Sequence, residues 1–419
     1  MLIAELKPDG CSPETVSEET RVRLNEYYKE AKNELDNILN YWIHNTHDAI
    51  NGGFVGRIDE DNVKYPEAPK GAVLNSRILW AFAAAYKVTQ NAEHLYLSRT
   101  AFNYIANNFI DAQYGGIFWS LDATGRPLDT KKQIYAQAFA IYGCCAYYEV
   151  SHNEAAKETA IELYKAIEHY SFDAVHGGYL EAFTRTWKLM GDMRLSAKDA
   201  NEKKTMNTHL HVLEAYSSLY KIWPDESLRQ QIKNLLRNFT EHIIDPLSGH
   251  LKLFFDEAWN SKPGIVSFGH DIEAAWLLQE AAKTISDLPI EEDIKVVSQK
   301  IARAAIEGLD TDGGLWYEYD PGNNHFIKEK HWWVQAEAMV GFFDQWQRTA
   351  NPEYLERSIK SWQYTRDFIK DKMNGEWLWG RNENGEIMSH QDKVGIWKCP
   401  YHNSRACIEL INRINNLIK

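Results

Sequence analysis

The sequence predicts an all-α fold, an (α/α)6 barrel of six helix-hairpin repeats, and three observations lead there. An Asp…Gly turn recurs at Asp48, Asp111, Asp173, Asp245, Asp310 and Asp371, at intervals of 63, 62, 72, 65 and 61 residues. A regular period over a whole chain marks a repeat architecture. Each turn is flanked by two helix-like segments. The second of each pair is mostly apolar over much of its surface, as in Ile78-Leu-Trp-Ala-Phe-Ala-Ala-Ala-Tyr86, which marks a buried helix. Six buried helices wrapped by an outer set bury every repeat against its neighbours, and closing the ring leaves no exposed end.

Taken in order, the first helix is read at 18–43, where Val22, Leu24, Tyr27, Tyr28, Ala31, Leu35, Ile38, Leu39 and Trp42 recur near the 3.6 period. The inner helices are read at 75–87, 134–149, 208–220, 271–283, 334–348 and 402–414. Outer segments such as 153–169 and 289–307 are amphipathic. Between turn and inner helix runs a short aromatic stretch, for example Gly116-Ile-Phe-Trp119 or Gly314-Leu-Trp-Tyr-Glu-Tyr319. An open solenoid uses the same hairpins, but its repeats are typically shorter and end in polar caps. No linker rich in Pro, Gly or Ser divides the chain, so residues 1–419 are read as one domain. The longest interval carries an insertion at 185–205, a charged stretch expected to form a loop over the barrel mouth.

Composition narrows the function. The net charge of -13 argues against nucleic acid or an anionic membrane surface, both of which need a basic face. A neutral ligand fits best. The 15 Trp and 22 Tyr exceed what a core needs, and flat rings with polar edges suit sugars. Residues 1–18 have no apolar signal segment, and no run of about 18 apolar residues occurs, so a cytoplasmic protein is expected. The five cysteines, with Cys144 and Cys145 adjacent in an apolar run, read as buried free thiols.

In a closed ring all inner helices start at one end, so their first turns face one cavity. Four starts crowd polar groups there: Met206-Asn207-Thr208-His209-Leu210-His211, Ser267-Phe268-Gly269-His270-Asp271-Ile272-Glu273, His331-Trp332-Trp333-Val334-Gln335-Ala336-Glu337 and Pro400-Tyr401-His402-Asn403-Ser404-Arg405. The first two starts offer Asn75 and Arg77, then Tyr135 and Gln137. Pro400 suits the first position of a helix, placing His402 in the opening turn, where the helix dipole favours a neutral imidazole. A neutral imidazole is the state of a general base. His209 and His211 point to different helix faces, so one of them is a packing residue. With no HExxH-type pairing, no metal site is expected. Asp271, Glu273 and Glu337 are the carboxylates that a glycoside hydrolase would need, but beside several histidines they read as groups that orient imidazoles. No phosphate-cradling loop or dinucleotide fingerprint occurs, since the glycines sit in turns.

At these residues the chain resembles the N-acylglucosamine 2-epimerase superfamily, over nearly its whole length. The strings that carry the likeness include Gly52-Gly-Phe-Val-Gly-Arg57, Lys70-Gly-Ala-Val-Leu-Asn-Ser-Arg77, Met206-Asn-Thr-His-Leu-His211, Gly269-His-Asp-Ile-Glu273, His331-Trp-Trp-Val-Gln-Ala-Glu337 and Trp397-Lys-Cys-Pro-Tyr-His402. Val334 stands where the family pattern has Pro, a change expected to touch packing more than chemistry. The resemblance implies inversion at C2 of the reducing-end sugar of a disaccharide, without cofactor, through ring opening and an enediolate. It implies catalytic roles for His270, His402 and His211, with His209 structural, and substrate-binding roles for Arg57, Asn207, Glu273 and Trp397. Trp332 adds a stacking face. A small sugar is the expected partner, and the chain is expected to act as a monomer. The alternatives are an N-acylglucosamine 2-epimerase or mannose isomerase acting on a monosaccharide, an (α/α)6 glycoside hydrolase, and a sugar-binding protein.

Overall fold

The computed structural model describes residues 10–418; the first nine residues of the polar leader and Lys419 lie outside the described residues. Outer helices α1 (Glu18–Thr46), α3 (Ala92–Tyr104), α5 (Glu154–Tyr170), α7 (Glu226–Asn238), α9 (Leu288–Ala305) and α11 (Pro352–Tyr364) alternate with inner helices. The inner set is α2 (Ala72–Thr89), α4 (Ile134–Ser151), α6 (Met206–Ile222), α8 (Phe268–Ile285), α10 (Trp332–Thr349) and α12 (Tyr401–Ile418). Each inner helix packs on the next, and α12 packs back on α2. That last contact makes the ring an (α/α)6 barrel and excludes the open solenoid. Each of α3 to α11 packs on the inner helix before it, while α1 covers α12, so the first helix of the chain completes the outer layer of the last repeat. Among the described residues no helix is long and apolar enough to cross a membrane.

Several inner helices begin earlier than their apolar pattern suggests: α2 at Ala72, not 75, and α8 at Phe268, not 271. Their first turns carry polar side chains, which hides the 3.6 period at the start of each helix. α12 begins at Tyr401, directly after Pro400.

The repeats are fastened at the end where the inner helices start. The segment ahead of each of α2 to α10 forms a short antiparallel pair with the aromatic stretch of the following repeat, for example Lys70–Gly71 with Ser120–Leu121 and Lys204–Thr205 with Phe254–Phe255. The lysines in these segments are buried and reach back to the turn aspartates: Lys70 to Asp48 at 2.8 Å, Lys132 to Asp111 at 3.1 Å, Lys204 to Asp173 at 2.8 Å and Lys330 to Asp310 at 2.8 Å. In the sixth repeat Lys393 takes Asp371 at 2.6 Å and Lys398 takes Glu376 at 2.7 Å. Val266 stands at the lysine position of the fourth repeat, where the nearby ion pair is His250 with Asp271 at 2.7 Å. A buried charge costs several kcal/mol unless it is paired, so each cation ties its segment to one turn.

Candidate active site

The same register sorts the polar residues of the helix starts. Five residues after the lysine position stand Asn75, Gln137, His209, Asp271, Gln335 and Asn403; seven after it stand Arg77, Phe139, His211, Glu273, Glu337 and Arg405. Two residues apart on a helix means about 200° of rotation, so the two sets face opposite ways. Most of the first set holds the turns, while Asn75 donates to the Gly71 carbonyl at the head of its own helix at 2.9 Å. Gln137 accepts the Ile117 N–H at 2.8 Å and donates to the Ile117 carbonyl at 2.9 Å, and Gln335 does the same to Leu315 at 2.8 Å on both sides. Asp271 accepts the Leu251 N–H at 2.9 Å. His209 accepts the Tyr179 N–H through Nε2 at 2.9 Å and donates from Nδ1 to the Thr205 carbonyl at 2.7 Å. Burial holds its pKa down to about 3, so it stays a neutral clamp. Gly178, with φ +76°, belongs to the same clamp: a Cβ there would lie 2.7 Å from His209 Nε2, and only glycine adopts that φ freely.

Of the second set, Arg77, His211 and Glu273 line a cavity of about 420 Å³ at the mouth of the inner ring. Its walls hold Arg77, Tyr135, Asn207, His211, His270, Glu273, Trp332, Trp333, Trp397 and His402, and further out Leu195, Lys198, Asp199, Tyr317, Glu318 and His331. The insertion therefore lines the mouth, as its charge and position predict. The Trp333 ring lies 4.8 Å from the His270 ring and 5.7 Å from that of His402. Both imidazoles thus stand against one indole. His211 lies on another wall, 5.1 Å edge-on from Tyr135 and 4.6 Å from Phe139.

Arg405, behind the cavity, organises this floor. It is 1% exposed and donates to Glu273 at 2.6 Å and Glu337 at 2.7 Å, and also to Glu214 and the Tyr401 hydroxyl. Two of these carboxylates hold imidazoles: His402 Nδ1 lies 2.7 Å from Glu337, and His211 Nδ1 lies 3.0 Å from Glu214. Glu337 also accepts from Trp276 at 3.1 Å, and Glu214 from Tyr401 at 2.7 Å. Facing such acceptors, both rings place their proton on Nδ1 and leave Nε2 as a lone pair. His270 instead has the Ser267 hydroxyl at 2.8 Å from Nδ1.

Burial sets the proton inventory. It lowers the pKa of His270 to about 3, with help from His211, and lowers His211 against the opposing bond from Glu214. His402 falls well below 6.5 through burial and the charges of Arg77 and Arg405. All three imidazoles are neutral near pH 7. Burial would raise Glu214, but Arg405 and His211 outweigh it and hold this carboxyl at about 2. Burial and Glu337 push Glu273 up to about 8, and burial raises Glu337 too against Arg405. Among the described residues Glu337 accepts from His402 and Trp276 while Glu273 accepts only from Arg405, so of the pair Glu273 is the acid that keeps a proton. Ligand atoms of Glu273, Glu337 and His402 lie within 4.8 Å of one another, and the Arg405 guanidinium already supplies the cation to both carboxylates.

Of the residues singled out in the sequence, His211, His270, His402, Asn207, Glu273, Trp332 and Trp397 share this cavity. Asn207 Oδ1 and Trp332 Nε1 have no partner within the protein. Arg57 is absent from the lining: its side chain is 45% exposed, paired with Asp392 at 2.9 Å and laid over Tyr65. It belongs to the loop ahead of α2, outside the ring of helix starts, and the buried guanidinium in the cavity is Arg77. Asp271 also leaves the set, since it holds a turn. Trp333, Glu214 and Arg405 are added. The signal for Arg405 and Glu337 was their shared register with His211; Glu214 has no such mark.

The chain matches the model of the N-acylglucosamine 2-epimerase (GlcNAc 2-epimerase) family over residues 52–406. It is 47% identical over 374 residues to a cellobiose 2-epimerase of Bacteroides fragilis, covering 89% of this chain and 95% of that one. Among solved structures it is similar to the cellobiose 2-epimerase of Bacillus thermoamylovorans, at 38% identity and a TM-score of 0.89, covering 93% of this chain and all of the other. It is similar also to that of Spirochaeta thermophila, at 36% identity and a TM-score of 0.90, covering 96% and 100%.

Proposed function

The chain belongs to the N-acylglucosamine 2-epimerase family, and from that premise we propose that it inverts C2 of the reducing-end sugar of β-1,4-linked disaccharides, converting cellobiose to glucosyl-mannose and lactose to epilactose. The observation that carries the reading is the convergence of three neutral imidazoles and the buried Arg77 on one cavity. Binding a sugar needs hydroxyl partners; removing a proton from carbon needs a neutral base and a fixed positive charge for the anion that forms. Room for two sugar units is supported by the cavity volume, which lies in the range of about 300–1,000 Å³ that drug-sized ligands fill. Its outer wall of Leu195, Asp199, Tyr317 and Glu318 offers a place for the second unit.

The C2 proton becomes removable only when C1 is an aldehyde, so the ring opens first. His402 then removes the C2 proton through Nε2, since Glu337 stabilises the imidazolium that results. The enediolate charge draws a solvent proton onto His270, which returns it to the opposite face of C2 while His402 releases its own to solvent, so one proton is taken and one returned per turnover, and the reverse reaction exchanges the two roles. Arg77 holds the negative charge developing on O1 and O2, as a cation in a dry pocket. Asn207 and Trp332 offer their free acceptor and donor to sugar hydroxyls, while Trp397 and Trp333 offer ring faces.

The test is incubation with cellobiose, with no nicotinamide, metal or nucleotide, in deuterated water. Glucosyl-mannose carrying deuterium at C2 is expected, and His402→Ala and His270→Ala should each lower turnover at least about a hundredfold. Cellobiose recovered unchanged, or cleaved to glucose, refutes the reading.

A further inference from the structure

His211 is set apart from the other two cavity imidazoles. His270 and His402 both lie against Trp333, whereas His211 packs against Tyr135 and Phe139. A group on another wall meets another atom of the substrate. It is also the imidazole held by Glu214, which in turn accepts from Tyr401 and Arg405. With Nδ1–H committed to that carboxylate, Nε2 is an acceptor and takes up a proton before it can give one. Glu273 presents the complementary group: it lines the cavity and shares one guanidinium with two other carboxyls. One positive charge does not balance three negative ones in a dry interior.

Resting on the epimerase reading, we infer that His211, positioned by Glu214, is the base that opens the sugar ring, and that the protein has a separate activity, interconversion of the α and β anomers of its substrate, that does not need His402. Nε2 of His211 takes the proton of the O1 hydroxyl, the C1–O5 bond breaks with its electron pair going to O5, and C1=O1 forms. O5 takes the proton of the Glu273 carboxyl, which burial and Glu337 keep protonated near neutral pH. Closure on the other face of C1 reverses both transfers, so atoms and charge balance over the cycle. When C2 chemistry follows instead, the imidazolium left on His211 faces O1 while the enediolate charge builds there. Glu214 touches no substrate and is a positioning residue.

The experiment follows the anomeric proton signals of freshly dissolved β-cellobiose by NMR, with epimer formation measured in the same tube. The intact protein should speed anomeric equilibration at least about tenfold over buffer. His402→Ala should keep that acceleration while losing epimer formation, with His270→Ala as the second variant if the first fails to fold. His211→Ala should lose both. Glu214→Gln should slow equilibration about 10- to 100-fold, the usual scale for an outer partner of an imidazole, and shift the acid limb of its pH profile downward. The groups facing His211 are Glu214 on α6, Arg77 on α2, Tyr135 on α4, His270 on α8, and Tyr401, His402 and Arg405 on α12. Loss of the Glu214 charge leaves the two arginines dominant, which makes the ring harder to protonate. Epimer formation by the intact protein, with buffer-rate equilibration in both His402→Ala and His270→Ala, overturns the inference and leaves the epimerase reading standing. An unmoved Glu214→Gln profile overturns the role of Glu214. Accelerated equilibration without any epimer sinks the epimerase reading and upholds this one.

Discussion

Replacing Arg405 by Leu tests the floor of the cavity in one step. The guanidinium is 1% exposed and binds carboxyls from α6, α8 and α10, so the variant leaves three buried acids without their cation. Breaking a buried ion pair from one side costs about 3–5 kcal/mol. Protonation of the orphaned carboxyls limits the cost, at about 1.4 kcal/mol per pKa unit. For 419 residues, an unfolding entropy of about 2.1 cal/mol/K per residue gives about 0.9 kcal/mol/K, so the midpoint should fall by about 3–6 °C. The pH dependence has a definite sign. Glu214, held at about 2 in the folded state through Arg405 and His211 against burial, contributes stability above the unfolded carboxyl pKa of about 4.3, and loses it as pH falls through the folded value. Without Arg405 the folded pKa values of the carboxyls rise, and that costs stability only where the unfolded carboxyls are ionised. The deficit of the variant should therefore be full at pH 7.5 and shrink as pH falls toward 4. Thermal unfolding followed by circular dichroism at pH 7.5, 6 and 4.5 measures it, and turnover should drop about 10- to 100-fold as His402 and His211 lose their anchors. A midpoint unchanged at pH 7.5, or a deficit that widens on acidification, refutes the reasoning.

The clamp assignment predicts that His209→Gln keeps turnover within about threefold and stability within about 1 kcal/mol, because glutamine fills the equivalent place at Gln137 and Gln335; His211→Gln should be inactive, and steady-state kinetics with a thermal melt separate the two. Arg77→Ala should cost at least about a hundredfold in kcat, whereas Arg57→Ala, which removes an exposed side chain bound to Asp392, should leave kcat within about threefold; equal losses would return Arg57 to the site. Lys70→Met should lower stability by about 3 kcal/mol through the orphaned Asp48, measured by denaturant titration, with KM unchanged.

The ring was legible because burial and turn geometry repeat in the sequence itself: six Asp…Gly turns, each followed by an apolar helix, admit few arrangements. The starts of the helices were harder to place, since polar residues such as Asn75 and Asp271 interrupt the apolar pattern there. Those same polar residues announced the cavity without saying which of them face it. The family resemblance points to Arg57, whose side chain pairs with Asp392 outside the cavity lining, whereas Arg77 stands among the helix starts and lines the cavity. Arg405 was visible as a residue, but its partners Glu214, Glu273 and Glu337 come from three other helices, and only closure of the ring brings them together.

The missing information was a register, and the sequence carries one. The lysine ahead of five of the six inner helices, Lys70, Lys132, Lys204, Lys330 and Lys398, sits 20 to 31 residues after its carboxylate partner, a spacing visible without coordinates. Counting from it, the fourth and seventh residues share one helical face and the fifth lies on the other. His270 and His402 are fourth; Arg77, His211, Glu273, Glu337 and Arg405 are seventh; His209 and Asp271 are fifth. One buried ion pair per repeat therefore fixes the rotation of each inner helix, and that rotation decides whether a histidine becomes a clamp for its own turn or a base in the shared cavity.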